Sequence, residues 1–536
     1  MIVAALAAAA LVVAALRMLG AADADIEVTR AVVGPTPVTL FQSSVDAPPG
    51  GAPVVVIAHG FAGSQQLMKP FAVSLARNGY LAVTFDFYGH GRNLRPLGGD
   101  VTRVEGATRN LVGQTGHVVD YALSLPAAGE GLAVLGHSMA SDVVVRYALA
   151  DPRVEATIAV SMFSPAVTAA GPRNLLIISG GYEGFLRREA LRAVAMTADD
   201  PQEGVTSGSF ADGSARRAAV IPGVEHVGVL YSAGSMREAV AWLNEVFERD
   251  RVVTEVDRRG GAIVLLLLGI VLLAWPLSRL LPRVASPPRG ASAAWRELVP
   301  AGLVPAIATP LLLWRFPPDF LSVLVGGYLA VHFGVYGLLT ACVYWWLRKR
   351  RPFPAPGDES RPGPTANDTS TTGPDRRAVT GHELGPAPGG LVRGLVATVM
   401  ATAYVAGVMA FAIDTYVTSF AVTMPRLPLM TVMLAGTLSY FLADEWLTRG
   451  VGAPRGARVY TRACFLLSLG LAVALSFEDL FFLLIIAAII LVYFVIYGLF
   501  SGWIYRATGH PAVGAVASAV AFAWALAVVF PMLSGA

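Results

Sequence analysis

The sequence predicts two architectures in one chain. Residues 26–250 read as an α/β globular domain built on a mostly parallel sheet covered on both faces, and most of the rest as an all-α domain of membrane-spanning helices. Three observations lead there. Charged residues make up only 14% of the 536 residues and hydrophobic ones 55%, whereas a soluble globular protein carries about 25% charged residues. Between residues 26 and 250, short β-branched runs alternate with helical stretches, the pattern of strand–helix–strand units. From Gly261 onward, apolar runs long enough to cross a bilayer follow one another.

In chain order, residues 1–25 form an N-terminal anchor or signal. Residues 2–22 are apolar apart from Arg17, and Ala22-Asp23-Ala24 offers a cleavage-like pattern, but the start lacks a basic region, which favours an uncleaved anchor. Within 26–250, Val54–Ala58, Leu81–Phe85, Leu132–Leu135, Thr157–Ser161, Leu175–Ile178 and Ala218–Ile221 read as buried strands. Residues 64–78, 107–124, 139–150, 184–197 and 235–248 read as helices. Further spans are expected in 251–350 (near 261–281, 298–314 and 320–347) and in 391–536 (near 391–413, 427–447, 462–477, 480–503 and 512–533). With residues 2–22 they make nine. Residues 351–390, rich in Pro, Gly, Thr and Asp, read as a disordered linker.

Net charge is +3 with no strongly basic block, which argues against a nucleic-acid partner. Two lysines, Lys69 and Lys349, stand against 38 arginines, a bias that points to a GC-rich bacterial genome. The two cysteines, Cys342 and Cys464, lie in apolar runs, so the globular domain can hold neither a disulfide framework nor a cysteine metal site. Arginines concentrate on alternate loops: Arg279, Arg283, Arg289 and Arg296, then Arg348 to Arg351 and the linker, then Arg449, Arg455 and Arg458, then Arg506. The opposite short loops hold Arg315 and Arg426. By the positive-inside rule the first set is cytoplasmic, which puts residues 26–250 outside a bacterial inner membrane and the linker inside.

Chemistry concentrates in three glycine-bracketed motifs. Gly136-His137-Ser138-Met139-Ala140 follows one strand and opens a helix. A serine on that turn has its hydroxyl clear of the sheet, and small flanking residues let the strand and helix backbones pass closely. His59-Gly60-Phe61-Ala62-Gly63 follows the strand Val54–Ala58. The backbone N–H groups of Phe61 and Met139 are the expected donors for an oxyanion. The third motif is Asp86-Phe87-Tyr88-Gly89-His90-Gly91-Arg92-Asn93, with His90 read as a loop-packing residue.

In this order and context the three motifs resemble the α/β-hydrolase superfamily over about 220 residues, with Ala140 and Asn93 as small departures. The resemblance implies a serine nucleophile, then an acid, then a histidine, and neither a metal nor an organic cofactor. His226 is the only histidine of the domain after Ser138 and lies just beyond the last expected strand. Glu183, in Gly180-Gly181-Tyr182-Glu183, matches the family position of the acid, with Asp212 second and Asp142 third. Only residues 162–173 separate two strands where many relatives carry a cap, so the site is expected to be open, roofed at most by residues 93–106 or by the membrane surface.

Asp444-Glu445-Trp446-Leu447-Thr448-Arg449-Gly450 and Gly502–Gly509 are similar to motifs of the CAAX-protease and bacteriocin-processing intramembrane family, over about residues 425–535. That family's histidines are missing: Ser518 and Phe522 stand at the matching positions, which implies a relative without protease activity. The two carboxylates read equally well as partners of Arg449 at the end of a span. His332 reads as a neutral packing histidine beside Tyr328, Phe333 and Tyr336.

The sequence thus predicts a membrane-anchored serine hydrolase cleaving a carboxylic ester, thioester or amide of a small-molecule or lipid-linked acyl substrate through an acyl-enzyme on Ser138. The alternative is a transport- or export-associated protein whose hydrolase-like domain processes cargo or is non-catalytic.

Overall fold

The computed structural model describes residues 1–45, 50–101, 103–253, 255–350 and 390–534; the expected linker lies outside them except for its last residue. The globular part is a nine-stranded sheet among the described residues: β1 (Ile26–Val33), β2 (Thr36–Ser43), β3 (Ala52–Ala58), β4 (Leu81–Phe85), β5 (Ala128–His137), β6 (Ala156–Val160), β7 (Leu175–Gly180), β8 (Thr206–Ser207) and β9 (Arg216–Ile221). Their spatial order is β1-β2-β4-β3-β5-β6-β7-β9-β8. The six strands from β4 to β9 in that order pair in parallel, while β1, β2 and β8 pair antiparallel at the two edges.

Helices lie on both faces, so the central strands are buried on both and read as unbroken apolar runs. In β3, Val55 and Ile57 face one core, with Phe71 of α2 (Lys69–Arg77) and Leu243 of α6 (Ala233–Val246). Val54, Val56 and Ala58 face the other, with Val118 of α3 (Arg109–Leu123) and Val144 of α4 (Met139–Ala150). A third cluster seats α5 (Gly184–Val194). The six expected strands are all present. Three further strands have no unbroken apolar run to mark them: β1 and β8 lie at the edges, where β1 has one buried residue, Ile26, in eight, and polar residues interrupt β2.

Nine helical segments among the described residues are long and apolar enough to cross a membrane. They comprise α1 (Ile2–Ala21), α7 (Arg259–Ser278), α8 (Trp295–Leu313), α9 (Gly326–Lys349), the pair α10 (Gly390–Thr402) and α11 (Met409–Tyr416), α12 (Leu427–Leu447), α13 (Ala457–Leu475), α15 (Leu483–Thr508) and α16 (Pro511–Val529). A single turn, α14 (Phe477–Leu480), separates α13 from α15. The expected span at 512–533 ends at Val529, because residues 530–534 leave the helix and run along the globular domain.

The two parts are tied at both connections. Arg259, at the start of α7, bonds Asp257 and Asp23 at 2.7 Å each, and Asp23 also pairs with Lys69. A second seam joins the loops at the carboxyl ends of the strands to the helical bundle. The Arg426 guanidinium donates to the Gly89 carbonyl (2.9 Å) and to the Ala527 and Phe530 carbonyls (2.6 and 2.9 Å). Ser64 meets Thr418 (2.8 Å), and Arg92 meets Asp414 (3.1 Å). The Leu97 and Met532 N–H groups donate to the carbonyls of Met532 and Gly89 respectively. The globular domain therefore sits on the arginine-poor end of the bundle.

Candidate active site

Parallel strands deliver their carboxyl ends to one edge, and the three motif loops meet there. Ser138 lies between β5 and α4 at φ 54°, ψ −118°, a region that costs a non-glycine residue about 1–3 kcal/mol. Gly136 explains how the turn is tolerated: a Cβ there would lie 2.3 Å from the Ala140 carbonyl oxygen. Only small residues fit at both positions.

The Ser138 hydroxyl is 2.8 Å from Nε2 of His226, and His226 Nδ1 is 2.5 Å from Oε1 of Glu183. Glu183 stands at the start of α5, just beyond β7. Its Oε2 accepts from the Gly180 N–H (2.6 Å) and the Ser161 hydroxyl (2.8 Å). Its side chain is 6% exposed and that of His226 is 44% exposed. Burial disfavours the Glu183 charge, but the hydrogen bonds from His226, Gly180 and Ser161 outweigh it and hold the carboxyl below its ordinary value. The His226 ring is thus anchored at one end and open to an incoming molecule at the other.

Three further histidines support this arrangement. His137 Nε2 donates to the His226 carbonyl (2.9 Å) and so fixes the backbone of its loop. Burial, then the neighbouring His226, push the His137 pKa down to about 3, which keeps it neutral. His59 donates from Nδ1 to the Gly60 carbonyl (2.8 Å) and accepts the Phe87 N–H at Nε2 (3.1 Å), which joins the His59–Gly63 loop to the Asp86–Asn93 loop. His90 is buried beside Phe61 and His59, as expected of a packing residue. Burial, then His59, depress its pKa to about 3. No local sequence signal distinguishes Ser161 or His137, because their partners come from distant loops.

The N–H groups of Phe61 and Met139 have no acceptor among the described residues. Their loops touch: a Cβ on Gly60 would lie 3.1 Å from Ser138 Cβ and 2.9 Å from His137 Nδ1. A methyl group at residue 60 would push the loop from the serine, and removing one oxyanion donor costs about 10²–10³-fold in turnover. Gly60→Ala is therefore expected to lower kcat about 10²-fold with KM little changed, as steady-state ester hydrolysis would reveal.

The other acid candidates lie elsewhere. Asp212 is exposed in the turn before β9, where it accepts the Ser214 N–H (2.8 Å). Asp142 is taken up by Arg146 (2.7 Å) and Ser164 (2.6 Å). In the helical bundle, Glu445 pairs with Arg449 (2.8 Å), and His332 packs against Tyr328, Tyr336 and Phe465 with Ser468 at 3.2 Å. No group of three metal-ligating side chains is found among the described residues.

The match to a protein family agrees with the fold. Residues 51–186 match a family model described as serine aminopeptidase, S33. Among solved structures, a hypothetical protein from Pseudomonas aeruginosa is 13% identical, covering 41% of this chain and 94% of its own, with a TM-score of 0.32. A ferulic acid esterase from Streptomyces cinnamoneus is 20% identical, covering 30% and 63%, with a TM-score of 0.25. An epoxide hydrolase from Vigna radiata is 22% identical, with a TM-score of 0.21; it covers 26% of this chain, which spans 40% of its length. No curated protein matches the chain. The globular domain has the α/β-hydrolase fold. The family match ends at residue 186 and does not bear on the likeness of residues 425–535 to the CAAX-protease family.

Proposed function

We propose that this protein is a membrane-anchored serine hydrolase that cleaves a carboxylic ester, thioester or amide through an acyl-enzyme on Ser138. The observation that carries this reading is the hydrogen-bond chain from the Ser138 hydroxyl through His226 to Glu183, at 2.8 and 2.5 Å. As Ser138 Oγ bonds to the acyl carbon, His226 Nε2 takes its proton, and Glu183 stabilises the imidazolium. The Phe61 and Met139 N–H groups hold the oxyanion. Collapse expels the leaving group, which receives the proton from His226. Water, deprotonated by the same ring, then releases the acid and restores Ser138.

The active-site edge rests on the membrane domain. The Phe61 ring packs on Phe482 (4.8 Å) and near Phe530 (6.2 Å), while Phe477 and Phe481 of the same segment are 56% and 45% exposed. That setting favours an acyl substrate presented at the membrane surface. The seam lies on the arginine-poor end of the bundle, so the hydrolase domain of this reading faces away from the cytoplasm. In intact spheroplasts, added protease should then cut within 26–250 and spare 351–390; the reverse pattern refutes this orientation.

The mechanism has a direct chemical test. Hydroxylamine added during hydrolysis of a p-nitrophenyl ester should divert part of the acyl group to hydroxamate at an unchanged rate of p-nitrophenol release, provided deacylation is not limiting. Free acid as the sole acyl product across a wide hydroxylamine range would argue against an acyl-enzyme.

A further inference from the structure

At the end of the helical bundle opposite the hydrolase domain, the loop after α12, the start of α13 and the stretch of α15 from Leu491 to Tyr505 line an open cavity of about 690 Å³. Its floor carries Arg449, Arg455, Arg458 and Arg462. Two glycines one helical turn apart on α15 give the side chains room: a Cβ on Gly498 would lie 2.1 Å from Arg462 Nη1, and one on Gly502 3.3 Å from Arg458 Nη1.

The charges on this floor do not cancel. Glu445 accepts from Arg449 (2.8 Å) and Arg462 (3.3 Å). Asp444 accepts from Thr461 (2.5 Å) and lies 3.7 Å from Arg462. Two carboxylates thus face four guanidinium groups. Half-buried Arg458 donates only to the Gly498 carbonyl (3.0 Å), and Arg455 has no carboxylate partner among the described residues. Guanidinium groups held beside apolar surface call for an anion, and their planar forks match phosphate oxygens.

The wall of the cavity is of the opposite character. Leu491, Val495 and Leu499 recur every four residues of α15, so they form one stripe, and they are 50%, 59% and 45% exposed. The stripe leads from the arginines toward the middle of the bundle. A free phosphate would use the floor and leave this wall bare, whereas a phospholipid would use both.

We propose that this cavity binds an anionic glycerophospholipid from the adjacent leaflet, its phosphate on Arg455 and Arg458 and an acyl chain along Leu491, Val495 and Leu499. The site is separate from the hydrolase centre and holds whether or not Ser138 is a nucleophile.

The test uses the full chain in detergent, titrated in separate arms with phosphatidylglycerol, phosphatidylcholine and inorganic phosphate. Melting temperature and lipid occupancy by native mass spectrometry are read together. Phosphatidylglycerol should raise Tm by several degrees and remain bound, and the other two at equal concentration should not. Arg455→Gln/Arg458→Gln should weaken phosphatidylglycerol binding about tenfold, the scale of one charge-assisted hydrogen bond. Arg455→Gln alone, on the exposed loop, should weaken it by a smaller factor and serves if the double variant does not fold. Equal stabilisation by phosphatidylcholine, or full affinity in the variant that folds, would overturn the site. Inorganic phosphate reproducing the whole shift would overturn the lipid assignment.

Discussion

His226→Ala is expected to lower ester turnover by about 10⁶-fold, as much as Ser138→Ala, because nucleophile and base act as one unit. The structure explains why no neighbour can substitute. His226 alone among the domain's histidines reaches the Ser138 hydroxyl. His137 is buried with its Nε2 spent on the His226 carbonyl, and His59 has both ring nitrogens occupied. The double variant should be no slower than either single one. Its expression and melting temperature should stay near wild type, since the His226 side chain is 44% exposed. Steady-state kinetics on the three variants would check this; multiplicative losses would mean that the two residues act independently.

The second large effect is expected at Glu183. Its Oε2 accepts two hydrogen bonds, from Gly180 and Ser161, and its Oε1 accepts one from His226. A glutamine must keep its carbonyl oxygen toward the two donors, so its NH₂ turns to His226 Nδ1. That nitrogen must then accept, and the ring proton moves to Nε2, where it blocks removal of the Ser138 proton. Glu183→Gln should therefore lower kcat by about 10⁴-fold, the cost of the wrong tautomer in such a triad. The isosteric Asp212→Asn should change it by less than about twofold, because Asp212 bonds only within its own turn and surface changes of this kind act weakly. A larger loss in Asp212→Asn than in Glu183→Gln would require a different acid.

The contrast between Glu183 and Asp212 marks how far the sequence could be read. Ser138 and His226 are legible because each sits in a local pattern tied to the end of a strand. Glu183 and Asp212 both lie between β7 and His226 in sequence. Separating them needs the position of β7 against β9, which only pairing in space provides. The central strands were readable because burial on both faces makes them continuously apolar, while β1 and β8 lie at the edges and β2, interrupted by Thr36, Thr39 and Gln42, carries no such run. The long apolar helices followed from length and hydropathy alone. The seam did not: Arg426 looks like a stray basic residue until its bonds to Gly89, Ala527 and Phe530 are seen, and nothing local to Phe61 predicts its contact with Phe482. Such contacts join segments hundreds of residues apart, with no periodicity to betray them.

The central claim, that Ser138 is the nucleophile of an acyl-transfer hydrolase, is tested most directly by treating the full-length protein with a fluorophosphonate and mapping the modified peptide by mass spectrometry. One adduct per chain is expected, on Ser138, forming more slowly by about a hundredfold or more in His226→Ala. No adduct on active protein, or an adduct on a different residue such as Ser141 or Ser161, would contradict it.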